Sequence, residues 1–153
     1  KGFGLFHSHI FEDTPEAKVI RARTIELVKK DKLKFATQFI SELFPPETKK
    51  IFQKDINKLI IRAGKMTNEG VIAALEGMKI RKDRSEVLKT ARVPVLIIIG
   101  MKDQKIPVDR AWEMISLPPH AEVHLMKNIG HMGYIESPVE TLKAIYCYAR
   151  KLL

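Results

Sequence analysis

The sequence predicts an α/β protein with a large helical insertion after its first strand, and three observations carry that prediction. An apolar run, Gly2 to Phe6, stands at the start; residues 12–80 read as helical almost throughout; the remainder alternates strand, helix, strand, helix. The run Val93-Pro94-Val95-Leu96-Ile97-Ile98-Ile99-Gly100 is β-branched and apolar on both faces, as a central parallel strand must be.

Taken in order, Lys1 to His7 reads as a short buried strand ended by the polar cluster His7-Ser8-His9. Glu12-Asp13-Thr14-Pro15-Glu16 is a helix start, with an Asp or Thr cap, Pro at the first helical position and acids in the first turn. Val19, Ile20, Ile25, Leu27 and Val28 then recur at helical spacing as far as Lys30. A second helix covers Leu33 to Leu43 and stops against Phe44-Pro45-Pro46. A third begins near Pro46 and carries Ile51, Phe52, Ile56, Leu59, Ile60 and Ile61; a fourth follows Thr67-Asn68-Glu69 and holds Val71, Ala74, Leu75 and Met78. Asp83 to Leu88 makes a turn or two of helix, Pro107 to Ile115 a helix with Trp112 and Ile115 on one side, Glu122 to Met126 a short strand, and Glu140 to Leu153 a closing amphipathic helix. Two domains are expected: residues 1–10 with 83–153, and an all-helical segment, 11–82. There is no internal repeat and no low-complexity segment.

Composition narrows the function classes. A 45% hydrophobic share supports a buried core, and no apolar run approaches the ~20 residues of a membrane span. One cysteine, Cys147, excludes an internal disulfide and a cysteine-based zinc site, which favours a reducing cytoplasm. Its neighbours Ile145, Tyr146 and Tyr148 suggest a packed thiol. Lys+Arg 27 against Asp+Glu 18 gives a net charge of +9, so nucleic acid has to be considered. Yet the lysines at 29, 30, 32, 34, 49, 50, 54 and 58 are spread over several helices and interrupted by acids. With no helix-turn-helix, stacking platform or zinc module, a solvated surface is expected rather than a nucleic-acid partner.

Two residues stand out for chemistry. Asp103 lies three residues past Gly100, at the carboxyl end of the apolar strand, where side chains of an open parallel sheet line the ligand crevice. Taken alone it reads as a turn aspartate. His131 sits in Asn128-Ile129-Gly130-His131-Met132-Gly133-Tyr134, immediately after the next strand, where glycines let the backbone bend and the ring point back over the sheet edge. Taken alone it reads as a surface histidine. One helix and one strand separate the two, which is the distance over which an acid and an imidazole after neighbouring strands can meet.

Together, Gly100-x-x-Asp103-x-x-x-Pro107, Gly130-His131 and Glu136-Ser137-Pro138 resemble the C-terminal half of the α/β-hydrolase fold family, with esterase-like and lipase-like members. Val93-Pro94-Val95-Leu96 and Met78-x-x-Arg81-x-Asp83-Arg84 fit the same pattern. Gly2-Phe3-Gly4-Leu5-Phe6-His7-Ser8 resembles the family's sixth strand, after which its helical cap is inserted. The resemblance spans the whole chain. It implies a partial α/β-hydrolase fold, strands six to eight with flanking helices plus an all-helical cap. It also implies a catalytic acid at Asp103 and base at His131, an ester-like small-molecule substrate and no cofactor. His7 and Ser8 are placed at a strand end that faces the pocket; Ile106 and Met132 flank the catalytic positions and could line an acyl pocket. The family's nucleophile elbow, G-x-S-x-G, is absent: the serines after residue 10 are Ser41, Ser85, Ser116 and Ser137, none in a strand-turn-helix setting. The chain therefore reads as a C-terminal piece whose beginning, with the nucleophile, lies elsewhere, and which alone does not turn over an ester.

The remaining candidates are structural. His7-x-His9 lacks a third ligand for a metal, so none is expected. His120 and His124 have no evident partner, and Arg81 with Asp83 reads as an ion pair anchoring the last cap helix. A rival function is a non-catalytic binding or assembly module of the same fold. Its open strand edge predicts a homo-oligomer.

Overall fold

The computed structural model describes all 153 residues, which divide into two compact units: Lys1–Ile10 with Leu43–Thr48 and Arg84–Leu153, and Phe11–Glu42 with Lys49–Asp83. No helix is long and apolar enough to cross a membrane.

The first unit is built on a three-stranded parallel sheet in the order β1 (Phe3–Phe6), β2 (Val95–Gly100), β3 (Ala121–Met126). The register pairs Phe3 with Val95 and Val95 with Ala121. All six residues of β2 are buried, as its two-faced apolar sequence demands. Helices α4 (Ser85–Lys89), α5 (Val108–Ile115), α6 (Gly133–Glu136) and α7 (Pro138–Arg150) complete the unit. On one sheet face Leu96, Ile98 and Met126 pack with Ala144 and Tyr148 of α7, joined by Phe6, Ile129 and Leu152. The Tyr148 hydroxyl lies 2.6 Å from Pro94 O and 3.1 Å from Phe3 O, tying α7 to the starts of two strands. Arg84 N donates to Ile10 O at 3.0 Å, so the first exit of the chain from this unit and its last return lie side by side.

Leu43–Thr48 belongs to this unit, although the sequence places it with the helical segment. Phe44 is wholly buried, and the two prolines after it end the preceding helix. Helix α5 turns Ala111 and Met114 inward and leaves Trp112 half exposed. Two further expectations are corrected. The Cys147 thiol is exposed, because the buried stripe of α7 runs through Thr141, Ala144 and Tyr148. His124 has a partner: Glu122, two residues back on the same strand face, lies 3.2 Å from its Nε2.

The second unit is three helices, α1 (Pro15–Ser41), α2 (Gln53–Gly64) and α3 (Asn68–Ile80). Thr14 caps α1 by accepting from Ala17 N at 3.2 Å, with Pro15 at the first helical position. The two helices read from the sequence before residue 44 run together as α1, with a break at Asp31 (φ −155°, ψ 82°). The Asp31 carboxylate accepts from Lys34 N at 2.9 Å and so restarts the helix as an internal cap. Regular helix α2 begins at Gln53 rather than near Pro46, after a series of turns. Ile25, Val28 and Leu75 form the buried centre, with Phe35, Val71, Ile72 and Met78 packed against it. Asp13, buried, binds the guanidinium of Arg21 and accepts from Arg81 Nη2 at 2.9 Å.

Candidate active site

The parallel sheet brings the carboxyl ends of β1, β2 and β3 to one edge, and each is followed by a loop bearing a titratable side chain: His7, Asp103 and His131. Asp103 is the best buried of these groups, with a fully buried side chain. Its amide donates to Gly100 O at 3.1 Å, and its Oδ1 accepts from Lys105 N at 2.7 Å and Ile106 N at 3.2 Å. This is an Asx turn, so the turn role read from the sequence is real. It also frees Oδ2, which points to His131.

His131 Nδ1 lies 2.7 Å from Asp103 Oδ2, the length of a charge-assisted hydrogen bond. Burial pushes the Asp103 carboxyl up; the imidazole of His131, that of His7 across a longer gap, and the Lys105 amide outweigh it and hold the group well below the usual range. A carboxylate facing Nδ1 requires the proton on that nitrogen, so in the neutral ring Nε2 is the acceptor. The ring is 28% exposed, and Nε2 makes no hydrogen bond within the chain. The pair therefore presents a basic nitrogen outward, oriented from behind by a buried charge.

The histidine loop is held on both flanks. His131 N donates to Leu43 O at 2.9 Å. Glu136 folds back to accept from Gly130 N at 3.0 and 3.1 Å and from Met132 N at 3.0 Å. Burial raises the Glu136 carboxyl above its ordinary value despite these amides. No glycine in the chain has positive φ, so the loop glycines do not serve the tight bend expected of them. They allow close approach instead. A Cβ on Gly100 would stand 2.0 Å from Gly130 O, because the exit of β2 runs backbone to backbone against the histidine loop.

Of the other residues singled out from the sequence, Ile106 is 2% exposed and contributes its amide to Asp103, and Met132 is buried beside the loop. Ser8 is half-buried in the segment after β1. His7 is 4% exposed, with Nδ1 3.9 Å from Asp103 Oδ2. The sequence places Glu136 at the start of the final helix, and gives no sign of its grip on the loop amides or of the short helix α6. A glutamate six residues after Gly130 looks like the acid of a helix start, and only the fold turns its side chain backwards.

Nearly the whole chain superposes on solved structures. These include a thermophilic esterase from Thermogutta terrifontis (28% identity, TM-score 0.89, covering 98% of this chain and 56% of that one). They include MGS-M2, an alpha/beta hydrolase enzyme from a Medee basin deep-sea metagenome library (18%, TM-score 0.82, 97% and 56%). A third is the enol-lactonase from Burkholderia xenovorans LB400 (15%, TM-score 0.84, 98% and 56%). The chain has a partial α/β-hydrolase fold. No protein-family model matches the sequence, and no curated protein matches it. The chain spans little more than half the length of these α/β-hydrolase structures. In it the parallel sheet expected from the sequence is present, with the acid and histidine loops following neighbouring strands β2 and β3.

Proposed function

We propose that the chain is the C-terminal part of an α/β-hydrolase acting on a carboxylic ester or related acyl compound. Asp103 and His131 are the acid and base of a Ser-His-Asp triad whose serine lies outside these 153 residues. The observation that carries this reading is the 2.7 Å bond from His131 Nδ1 to a fully buried Asp103 carboxylate, with Nε2 left open. In the mechanism Nε2 takes the serine proton as the hydroxyl attacks the acyl carbon. Asp103 holds the tautomer and stabilises the imidazolium that forms, and His131 then returns the proton to the leaving alkoxide. Water enters by the same route in deacylation. No cofactor is required. The helical unit, Phe11–Glu42 with Lys49–Asp83, acts as the cap that limits acyl size. The full-length hydrolase, assayed on p-nitrophenyl esters, should lose ~10³-fold or more in kcat for His131→Ala and for Asp103→Asn with far-UV circular dichroism unchanged. Near-normal turnover in both variants overturns the assignment.

A second reading, assembly of two copies of this chain, is favoured by one observation. The edge strand β1 flanks an apolar groove with α7, which exposes Val139 (80%), Leu142 (67%) and Tyr146 (58%) in helical register. Light scattering at high concentration should give the mass of a dimer; a monomer at every concentration ends this reading.

A further inference from the structure

The residue after β1 is the only non-glycine in the left-handed region: His7, at φ 42°. Its amide donates to Ile98 O at 3.0 Å, which fixes the backbone, and the side chain is 2% exposed. The ring meets Phe6 edge-on at 4.5 Å between centroids and lies 6.2 Å from the ring of His131. Neither ring nitrogen has a hydrogen-bond partner. Buried imidazoles are ordinarily satisfied, so an orphan one held in an uncommon backbone conformation calls for a role. Space has been cleared for it as well, since a Cβ on Gly133 would stand 2.2 Å from His7 Nε2.

What His7 faces is Asp103 Oδ2, the same oxygen that binds His131, at 3.9 Å from Nδ1. That is too long for a hydrogen bond and close enough for electrostatics in a buried site. We infer that His7 is a positioning residue of the acid–base pair, drawing on the shared Asp103 oxygen and so moderating how strongly Asp103 makes His131 basic. The inference rests on the acid–base reading of Asp103 and His131. The carboxylate favours the His7 tautomer with its proton on Nδ1. A neutral ring then turns the positive end of its dipole toward Oδ2, and a protonated ring repels the His131 imidazolium directly. Both make His131 a weaker base. The other titratable groups around these rings are Glu136 on α6, whose charge is coupled to His7 and Asp103, Tyr134 beside Phe6, and Lys102 and Lys105 on the acid loop. Lys102 is drawn toward Glu47 at 3.5 Å.

The test is an NMR titration of the histidine ring protons in the 153-residue chain. His7→Gly keeps the φ 42° backbone and removes the ring. It should raise the His131 midpoint by about half a pH unit, near threefold in proton affinity. His7→Asn tolerates the same backbone and returns an N–H toward Oδ2, so it should restore the original midpoint. Asp103→Asn should lower it by about a unit or more. A purely structural His7 would weaken folding without moving the midpoint. If Asp103→Asn lowers the midpoint and His7→Gly leaves it in place, the His7 inference is wrong and the acid–base pair stands. If Asp103→Asn has no effect, both fall. In the unsubstituted chain, the His7 ring resonances should carry an inflection at the His131 midpoint, and its absence also overturns the inference, even where a variant fails to fold.

Discussion

Glu136 accepts the amide of Gly130 through both carboxylate oxygens, at 3.0 and 3.1 Å, and one of those oxygens also takes Met132 N. His131 lies between the two amides, so the ring that Asp103 orients is carried on a loop pinned from the opposite side. Glu136→Ala removes the acceptor for both amides and should cost about 2 kcal/mol or more. Glu136→Gln keeps one oxygen and should cost less. Hydrogen exchange should show Gly130 and Met132 losing protection in the alanine variant before the amides of β2 do; equal protection would mean the carboxylate holds nothing.

Asp103 and Glu136 have opposite pH signatures. The Asp103 carboxyl is lowered on folding, so its contribution is present above its unfolded value, near the usual 3.8, and is lost as pH falls through the folded value. Glu136 is raised, so its contribution is present below the usual 4.5 and is lost as pH rises through the folded value. In urea unfolding between pH 2 and 7, Asp103→Asn should lower stability at neutral pH and make the acid-side decline shallower. Glu136→Gln should reduce the loss of stability above pH 4.5. An Asp103→Asn protein that keeps the full acid-side slope would contradict the burial and bonding assigned to this carboxylate.

Gly133 leaves room for the ring of His7. Gly133→Ala places a methyl 2.2 Å from Nε2, so the ring or α6 must move, at about 1–3 kcal/mol. The cost should largely vanish when the same change is made in a His7→Gly background, a coupling that a double-mutant cycle measures. Additive costs would place the strain elsewhere.

The helical unit has its own buried charge. Asp13→Ala leaves Arg21 and Arg81 without the carboxylate they share and should cost that unit about 1.5–3 kcal/mol, read in thermal unfolding. A change under half a kcal/mol would make the cluster a surface feature.

Much of this architecture was legible because strand and helix periods differ and because acid and imidazole follow neighbouring strands of a parallel sheet. Val95 to Gly100, apolar on both faces, reads as a central strand, and the 28 residues from Asp103 to His131 read as one helix and one strand. What escaped depends on side chains reaching across space. Asp31 reads as a helix residue until its carboxylate is seen capping Lys34 N. Leu43–Thr48 reads as the end of a helix, yet Leu43 O accepts the amide of His131. Arg81 reaches back 68 residues to Asp13, a contact that no local spacing announces. The backbone conformation of His7 leaves no trace in composition or period.

The most direct test of the acid–base pair is the tautomer of His131 in ¹⁵N NMR of the neutral chain. The bond from His131 to Asp103 requires a protonated Nδ1, with its proton strongly downfield, and an unprotonated Nε2; Asp103→Asn should abolish that downfield signal. A ring found as the Nε2–H tautomer, or averaging freely between the two, would contradict it.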